Sequence, residues 1–417
     1  MKETKFKNTE IGRIPEDWEI GYFGDVLCTF SAGATPYRGI PDYYNGKINW
    51  ISSGELNYNV IYDTIEHISE EALRNTNLCL HAPGTFLMAI TGLEATGTRG
   101  KCAFVGVPSA TNQSCLAING TNKMDIKYLY WYYRMYGNYL AFKYSQGTKQ
   151  QSFTATIVKN LPITYPKQVI EQHRIASALT NIDNLISSLC KLIEKKMNIK
   201  QGAMQQLLTG KTRLKGFNEP WMEHTIDELF DLGNGYTPSK SNPAYWTNGT
   251  IPWFRMEDIR TNGRILKDSI QHVTPEAVKG NGLYPKYSII LSTTATIGEH
   301  ALLIANSLAN QRFTFLNRKV NRRDMIDIIF FYHYCFILGK WCRDNINAGG
   351  LLAVNMDDLK NHSIYIPKSI AEQQAIATIL TKMDDEITAL EAKKAKYEAI
   401  KQGMMQQLLT GKIRLIG

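Results

Sequence analysis

Several kinds of chemistry are missing from this chain of 417 residues. Its seven cysteines (Cys28, Cys79, Cys102, Cys115, Cys190, Cys335, Cys342) are odd in number and never form a Cys-x-x-Cys pair. That argues against a zinc or disulfide framework and for buried free thiols in a reducing cytoplasm. The eight histidines are scattered, with no His-Glu-x-x-His, and no Gly-x-Ser-x-Gly elbow offers a nucleophile. No glycine-rich strand-to-helix turn is present to cradle a nucleotide or a methyl donor. Carboxylates are plentiful, yet none forms a nuclease-like cluster. No apolar run approaches a membrane span, and the start MKETKFKNTE lacks the apolar core of a signal peptide. The expectation is a cytoplasmic protein without a catalytic constellation or a metal of its own.

What the chain does contain, it contains twice. Ile199 to Leu214 reads IKQGAMQQLLTGKTRL and Ile400 to Leu415 reads IKQGMMQQLLTGKIRL, differing only at Ala203/Met404 and Thr212/Ile413. The offset of 201 residues persists upstream: Glu171-Gln172 answers Glu372-Gln373, and Leu179, Asp183, Ile186 and Leu189 answer Leu380, Asp384, Ile387 and Leu390. So long a period is a doubled half-protein rather than a solenoid unit.

Each half opens with a block rich in Gly, Asn, aromatic and β-branched residues. In the first, Ile48–Ile51, Thr85–Ile90, Cys102–Val107 and Cys115–Ile118 read as strands between turn signals, and Tyr128 to Tyr144 as a helix. The second block is a diverged copy. Gly33-Ala34-Thr35-Pro36 matches Gly235-Tyr236-Thr237-Pro238, Trp50 matches Trp253, and Asn112-Gln113 matches Asn310-Gln311.

Each half then turns helical. Ile175, Leu179, Ile182, Ile186 and Leu189 step by three and four, as do Ile376, Leu380, Met383, Ile387 and Leu390. The first stripe continues to Met197, Met204 and Leu208, and Gly210 and Gly411 sit where C-terminal caps belong. Ser369 is placed to start the second helix. At ~1.5 Å per residue each helix is a rod on the order of 60 Å long. The rods are expected to pair antiparallel, bringing Asp384, Asp385 and Glu386 to Lys195, Lys196 and Lys200. The expected fold class is α+β: two globular heads (1–166 and 216–367) separated by two helical spacers (167–215 and 368–417), a dumbbell with internal pseudo-twofold repeat.

Two motifs prove weak. Thr209-Gly210-Lys211-Thr212 looks like the end of a phosphate-binding loop, but Gln205 stands where the earlier glycine belongs. Asn242-Pro243-Ala244-Tyr245 approaches the Asn-Pro-Pro-aromatic tetrapeptide of amino-group DNA methyltransferases, yet the first head has Ile40-Pro41-Asp42-Tyr43 there, with no amide. The net charge of +9 favours a polyanionic partner. Arg99, Lys101, Lys149, Gln150, Gln151, Arg255, Arg260, Arg312 and Arg343 can reach phosphates or guanine edges, and Asn112, Gln113, Asn310 and Gln311 can read adenine or satisfy backbone at a strand edge.

Head, rod, head, rod, with rods ending MQQLLTGKxRL and heads carrying G-x-T-P and Y-x-x-G-x-I-x-W, resembles the specificity subunits of type I restriction-modification systems. The resemblance covers essentially the whole chain. It implies that the heads are target recognition domains, each reading half of a bipartite, asymmetric double-stranded DNA site. The rods would fix the gap and dock two modification subunits. It also implies that this chain binds no cofactor: S-adenosylmethionine, ATP and Mg would be used by the modification and restriction subunits. Carried over, the reading loops fall at Ser52, Ser53 and Glu55 and at Arg255, Glu257 and Asp258. A polar glycine turn falls at Gly147-Thr148-Lys149-Gln150-Gln151, and its second copy, Asn347 to Leu351, has lost the basic and glutamine residues. The repeat looks circular, which places the C-terminal segment beside the first head. The alternatives are a fused or stand-alone DNA-modifying enzyme and a structural coiled-coil scaffold.

Overall fold

The computed structural model describes residues 5–9, 12–280, 282–347 and 352–416. The chain divides into two compact units, 1–190 with 392–417 and 191–391. Each holds one α+β head and a stretch of each long helix.

In the first head a five-stranded sheet is built from β1 (Cys28–Ala32), β2 (Val60–Ile61), β3 (Phe86–Ala89), β4 (Cys102–Val105) and β5 (Cys115–Asn119), in the order β1-β5-β3-β4-β2. Only the β2–β4 pair is parallel. Helix α1 (Ile126–Tyr144) buries Tyr128, Trp131 and Tyr133 in the same core as the sheet. The central strand β3 is buried at all four positions, which explains its uninterrupted apolar run. A three-stranded sheet (Ser109–Thr111, Ile48–Ile51, His67–Ile68) carries Trp50. A two-stranded ribbon pairs Trp18–Tyr22 with Pro162–Pro166. Helix α2 (Val169–Leu207) follows directly.

The second head repeats this order with β6 (Phe230–Asn234), β7 (Ile265–Leu266), β8 (Ile289–Ser292), β9 (His300–Leu303) and β10 (Phe313–Arg318), arranged β6-β10-β8-β9-β7. Helix α3 (Ile328–Asp344) replaces α1, a ribbon pairs Trp221–Thr225 with Ser363–Pro367, and α4 (Ile370–Leu408) leaves the head as α2 leaves the first. The helix starts share one mechanism. Asp125 Oδ1 accepts from the amides of Lys127 (2.7 Å) and Tyr128 (3.3 Å), and Asp327 Oδ1 from those of Ile329 and Phe330 (both 2.9 Å).

The repeated Glu-Gln pair fastens each long helix to its head. Gln172 accepts from the Asp125 amide and donates to Pro166 O and Lys123 O; Gln373 accepts from Asp327 and donates to Pro367 O and Met325 O. The glutamate completes a clasp. Arg414 Nε lies 2.7 Å from Glu171 Oε1, and its other nitrogens lie 2.7 Å from the Asp17 carboxylate. Arg213 grips Glu372 at 2.6 Å and donates to Glu219 O at 2.8 Å. Both buried carboxylates are thereby paired and hydrogen-bonded, the condition for burying such a charge. Beside each clasp a glycine at φ +69° (Gly411, Gly210) brings the chain against Trp18 or Trp221. The C-terminal segment therefore does pack on the first head, as the circular repeat implies.

The helical seam is apolar where expected. Ile175, Leu179, Ile182, Ile186, Leu189, Ile376, Leu380 and Ile387 are buried, with Met383 and Leu390 half-buried. Met197 is a correction, since it is 53% exposed. The stripe turns away from that position, and the half-buried place near there goes to the Lys200 stem instead. Lys200 pairs with Asp384, Lys196 Nζ lies 2.7 Å from Glu386, and in the first unit Lys401 Nζ lies 2.8 Å from Asp183. The falling partner numbers show that the helices run antiparallel. Lys195 and Asp385 make no ion pair among the described residues. All seven cysteines are free, but Cys28, Cys79 and Cys190 are exposed rather than buried.

Candidate nucleic-acid interface

The framework shared by the heads is a set of hydrogen bonds around one tryptophan. Trp50 Nε1 donates to Ala34 O and Trp253 Nε1 to Tyr236 O, each at 3.0 Å. Thr35 and Thr237 hydroxyls donate to Gln113 Oε1 and Gln311 Oε1. The glycine before each Thr-Pro is a contact requirement: a Cβ on Gly33 would lie 1.9 Å from Thr111 O, and one on Gly235 2.2 Å from Asn310 O. Gln113 and Gln311 are thus exposed amides held in place from behind.

Around this framework the structure sorts the candidate residues. Glu55 is a staple: its carboxylate accepts from the Ser52 amide (2.8 Å), the Ser52 hydroxyl (2.7 Å) and the Ile65 amide (2.9 Å). Asp258, fully buried, does the same for the amides of Arg255 (2.7 Å) and Ile270 (2.6 Å). Asn112 and Asn310 use Oδ1 to accept from the backbone of Ser114 and Arg312, two residues on. Arg99 is spent on Leu93 O (2.6 Å) and Glu94 O (2.8 Å). These five side chains hold loops in shape. Asn242 likewise caps the turn at Pro243, accepting from the Ala244 amide, and Thr209-Gly210 is a helix end.

The remaining candidates in the second head converge. Arg255, Glu257, Gln311 and Arg312, with Thr237, Lys240 and the loop-holding Asn310, line a cleft of about 440 Å³. Arg255 Nη2 meets Glu257 at 2.9 Å, its guanidinium lies over Trp253, and its buried Nε has no hydrogen-bond partner among the described residues. Arg260 lies outside this cleft, on the last turn of the helix Met256–Asn262.

In the first head the candidates fall in two groups. Ser52, Ser53 and Gln113 lie just past the ends of two paired strands of the three-stranded sheet, joined through Asn112 N to Ile51 O (2.9 Å). Thr148, Lys149 and Gln150 form an exposed turn pinned at its base, where the Gln151 amide donates to Glu94 (2.8 Å) and the Leu93 amide to Gln151 O. Lys101 belongs to neither group: it lies 2.8 Å from Asn57 Oδ1 and over Tyr58. Most of the second copy of this turn, residues 348–351, lies outside the described residues.

Sequence reasoning missed Arg38 and Lys240, although the signal was there: each stands three residues after the repeated threonine. Arg38 is stacked 4.4 Å over the Tyr44 ring and paired with Glu66. Among the described residues no cluster of three or more metal-ligating side chains occurs, and no helix is long and apolar enough to cross a membrane.

Comparison with known proteins agrees with this architecture. The family described as "Type I restriction modification DNA specificity domain" matches twice, at residues 15–198 and 218–402. The Escherichia coli type I restriction enzyme EcoprrI specificity subunit is 47% identical over 175 residues, which span 40% of this chain and 43% of that subunit. The putative MjaX specificity subunit of Methanocaldococcus jannaschii is 28% identical over 99% of this chain and 98% of its own length. The solved S subunit of a type I system from M. genitalium has a similar fold, with TM-score 0.62 at 16% identity, covering 97% of this chain and 98% of that one. The chain belongs to the family of type I restriction-modification DNA specificity proteins.

Proposed function

We propose that this chain is the non-catalytic reader of a type I restriction-modification complex. Each head takes one half of a bipartite, asymmetric DNA site, and the paired long helices set the unread gap and dock two modification subunits. The carrying observation is that one framework presents different chemistry in the two heads. Where the first has Ser52 and Ser114, the second has Arg255 and Arg312, beside matching Thr–Gln pairs. Serines and arginines offer different donor patterns to base edges, so the halves select different sequences. Methyl transfer from S-adenosylmethionine, and any ATP- and Mg-dependent step, then belongs to partner subunits.

Helices of 39 residues, about 58 Å long at ~1.5 Å per residue, reach between one and two DNA turns of ~34–36 Å. Methylome sequencing of the source cell with and without this gene tests the reading: a bipartite methylated motif should vanish with the gene. Four residues inserted into one long helix should change the gap and leave both half-sites intact. Methyl transfer to DNA by the purified chain alone, or no sequence-selective DNA binding, would overturn the proposal.

A further inference from the structure

The heads differ most in a place the shared framework does not touch. Between β3 and β4 the first head has residues 90–101, a loop that folds back on itself through Arg99 and buries Leu93. Between β8 and β9 the second head has only residues 293–299, five fewer. Conversely, the stretch after the Glu55/Asp258 staple is two residues longer in the second head (259–264 against 56–59) and carries Arg260 and Arg264. The short loop and the extended helix border a cleft of about 970 Å³, with Arg260, Arg264 and Arg343 on its wall and Met256, Ile259 and Ile297 among its apolar lining. Glu299 neutralises Arg264 at 2.6 Å, but Arg260 and Arg343 have no carboxylate partner among the described residues.

Two further observations identify the ligand chemistry. Met256 lines both this cleft and the one holding Arg255 and Gln311, so the helix Met256–Asn262 is a ridge between them. A duplex read on one side of the ridge carries its backbone towards the other. The cleft is also basic: its lining carries three arginines, Arg260, Arg264 and Arg343, against one carboxylate, Glu299.

Building on the DNA-reading function, we propose that this cleft is a phosphate-anchoring subsite of the second head. Arg260 and Arg343 each take a backbone phosphate next to the bases read beside Arg255, with the deoxyribose against the apolar floor.

The test is a salt titration of binding by the full chain to a duplex carrying its methylome-defined site, for wild type and Arg260→Gln/Arg343→Gln. Each neutralised phosphate contributes about 0.9 to the slope of log affinity against log salt, so the double variant should lose about 2 from that slope. Its affinity should fall at least ~10-fold at low salt for any duplex, leaving the methylated motif unchanged. Arg260→Lys/Arg343→Lys should restore the slope. An unchanged slope in a variant with wild-type melting would overturn the subsite, as would a changed base preference in the second half-site. So would displacement of duplex by millimolar ATP dependent on the two arginines, which would mark a free-nucleotide site. A wild-type chain that binds no duplex would instead sink the DNA-reading function itself.

Discussion

The first and second heads share strand order, helix caps, the Trp–carbonyl and Thr–Gln hydrogen bonds and the clasp onto a long helix, and they part company at their rims. The first fills its β3–β4 loop and places serines at the framework edge. The second shortens the equivalent loop, lengthens the neighbouring helix and places arginines at the same edge. The Trp–carbonyl bonds and the clasps are buried or partly buried, so their loss leaves a polar group unpaired, whereas exposed rim side chains change at little folding cost. A duplicated fold can therefore diverge at its rim while keeping how each head is held to its helix.

The largest effect should come from the clasps, which test whether the two units are equally well tied. Arg414→Ala leaves Glu171 buried without its partner, a loss of about 3–5 kcal/mol. Arg213→Ala should cost less, because the Arg213 side chain is 30% exposed against 10% for Arg414, and Arg414 alone holds a second carboxylate, Asp17. Chemical unfolding of both variants checks the ranking; equal losses would remove the asymmetry.

Acid should separate the units next. In the second, burial holds His300 and His333 down to about 3, so both are neutral at neutral pH. Their folded values lie below the unfolded ~6.5, so the unfolded chain binds more protons in that window. The stability they contribute is complete above pH 6.5 and drains away as pH falls towards 3, on the order of a few kcal/mol per histidine. In the first unit Trp131 stands in the place of His333, its Nε1 donating to Thr180 as His333 meets Thr381. His333→Trp should flatten the pH dependence of the second unit's unfolding between pH 6.5 and 4. A slope identical to wild type would show that His333 is not the acid-sensitive group.

How much of this was legible follows from what a residue letter encodes. The repeat exposed the paired helices, the Gln172/Gln373 fastening and the Thr–Trp–Gln framework, because a position that must satisfy buried backbone keeps its residue in both copies. Glu55 and Asp258 were legible as important and misleading as to role: a carboxylate just past a strand has the same letter whether it faces a base or binds two amides. Met197 was assigned by continuing the three-and-four stripe past Ile193, where the helix turns that position to solvent. The 970 Å³ cleft was not legible at all, since it arises from two loop lengths changing in opposite senses, and neither length announces what it uncovers.

A smaller effect sharpens the rim comparison itself. Arg255→Ser gives the second head the first head's residue, while the Asp258 staple still has its two backbone amides. Folding should be unaffected. Discrimination at one base pair of the second half-site should weaken by about 1–3 kcal/mol, the worth of a bidentate arginine contact, with the first half-site untouched. Methylome mapping would show one position of the motif becoming degenerate.

The smallest effect lies on the long helices, where two neighbouring ion pairs look alike in sequence and differ in surroundings. Lys200 is nearly buried, spread over the Phe336 ring and paired with Asp384. Lys196 and Glu386 both face solvent, and the lysine's hydrogen bond followed by its charge lowers the glutamate pKa. Coulomb attraction in water is weak and screened by salt, so Lys196→Ala should leave the melting temperature unchanged at moderate ionic strength. Lys200→Ala removes an apolar stem from the seam as well as a charge and should lower it. Equal shifts for the two variants would mean that the seam is held by charge at its surface rather than by what its side chains bury.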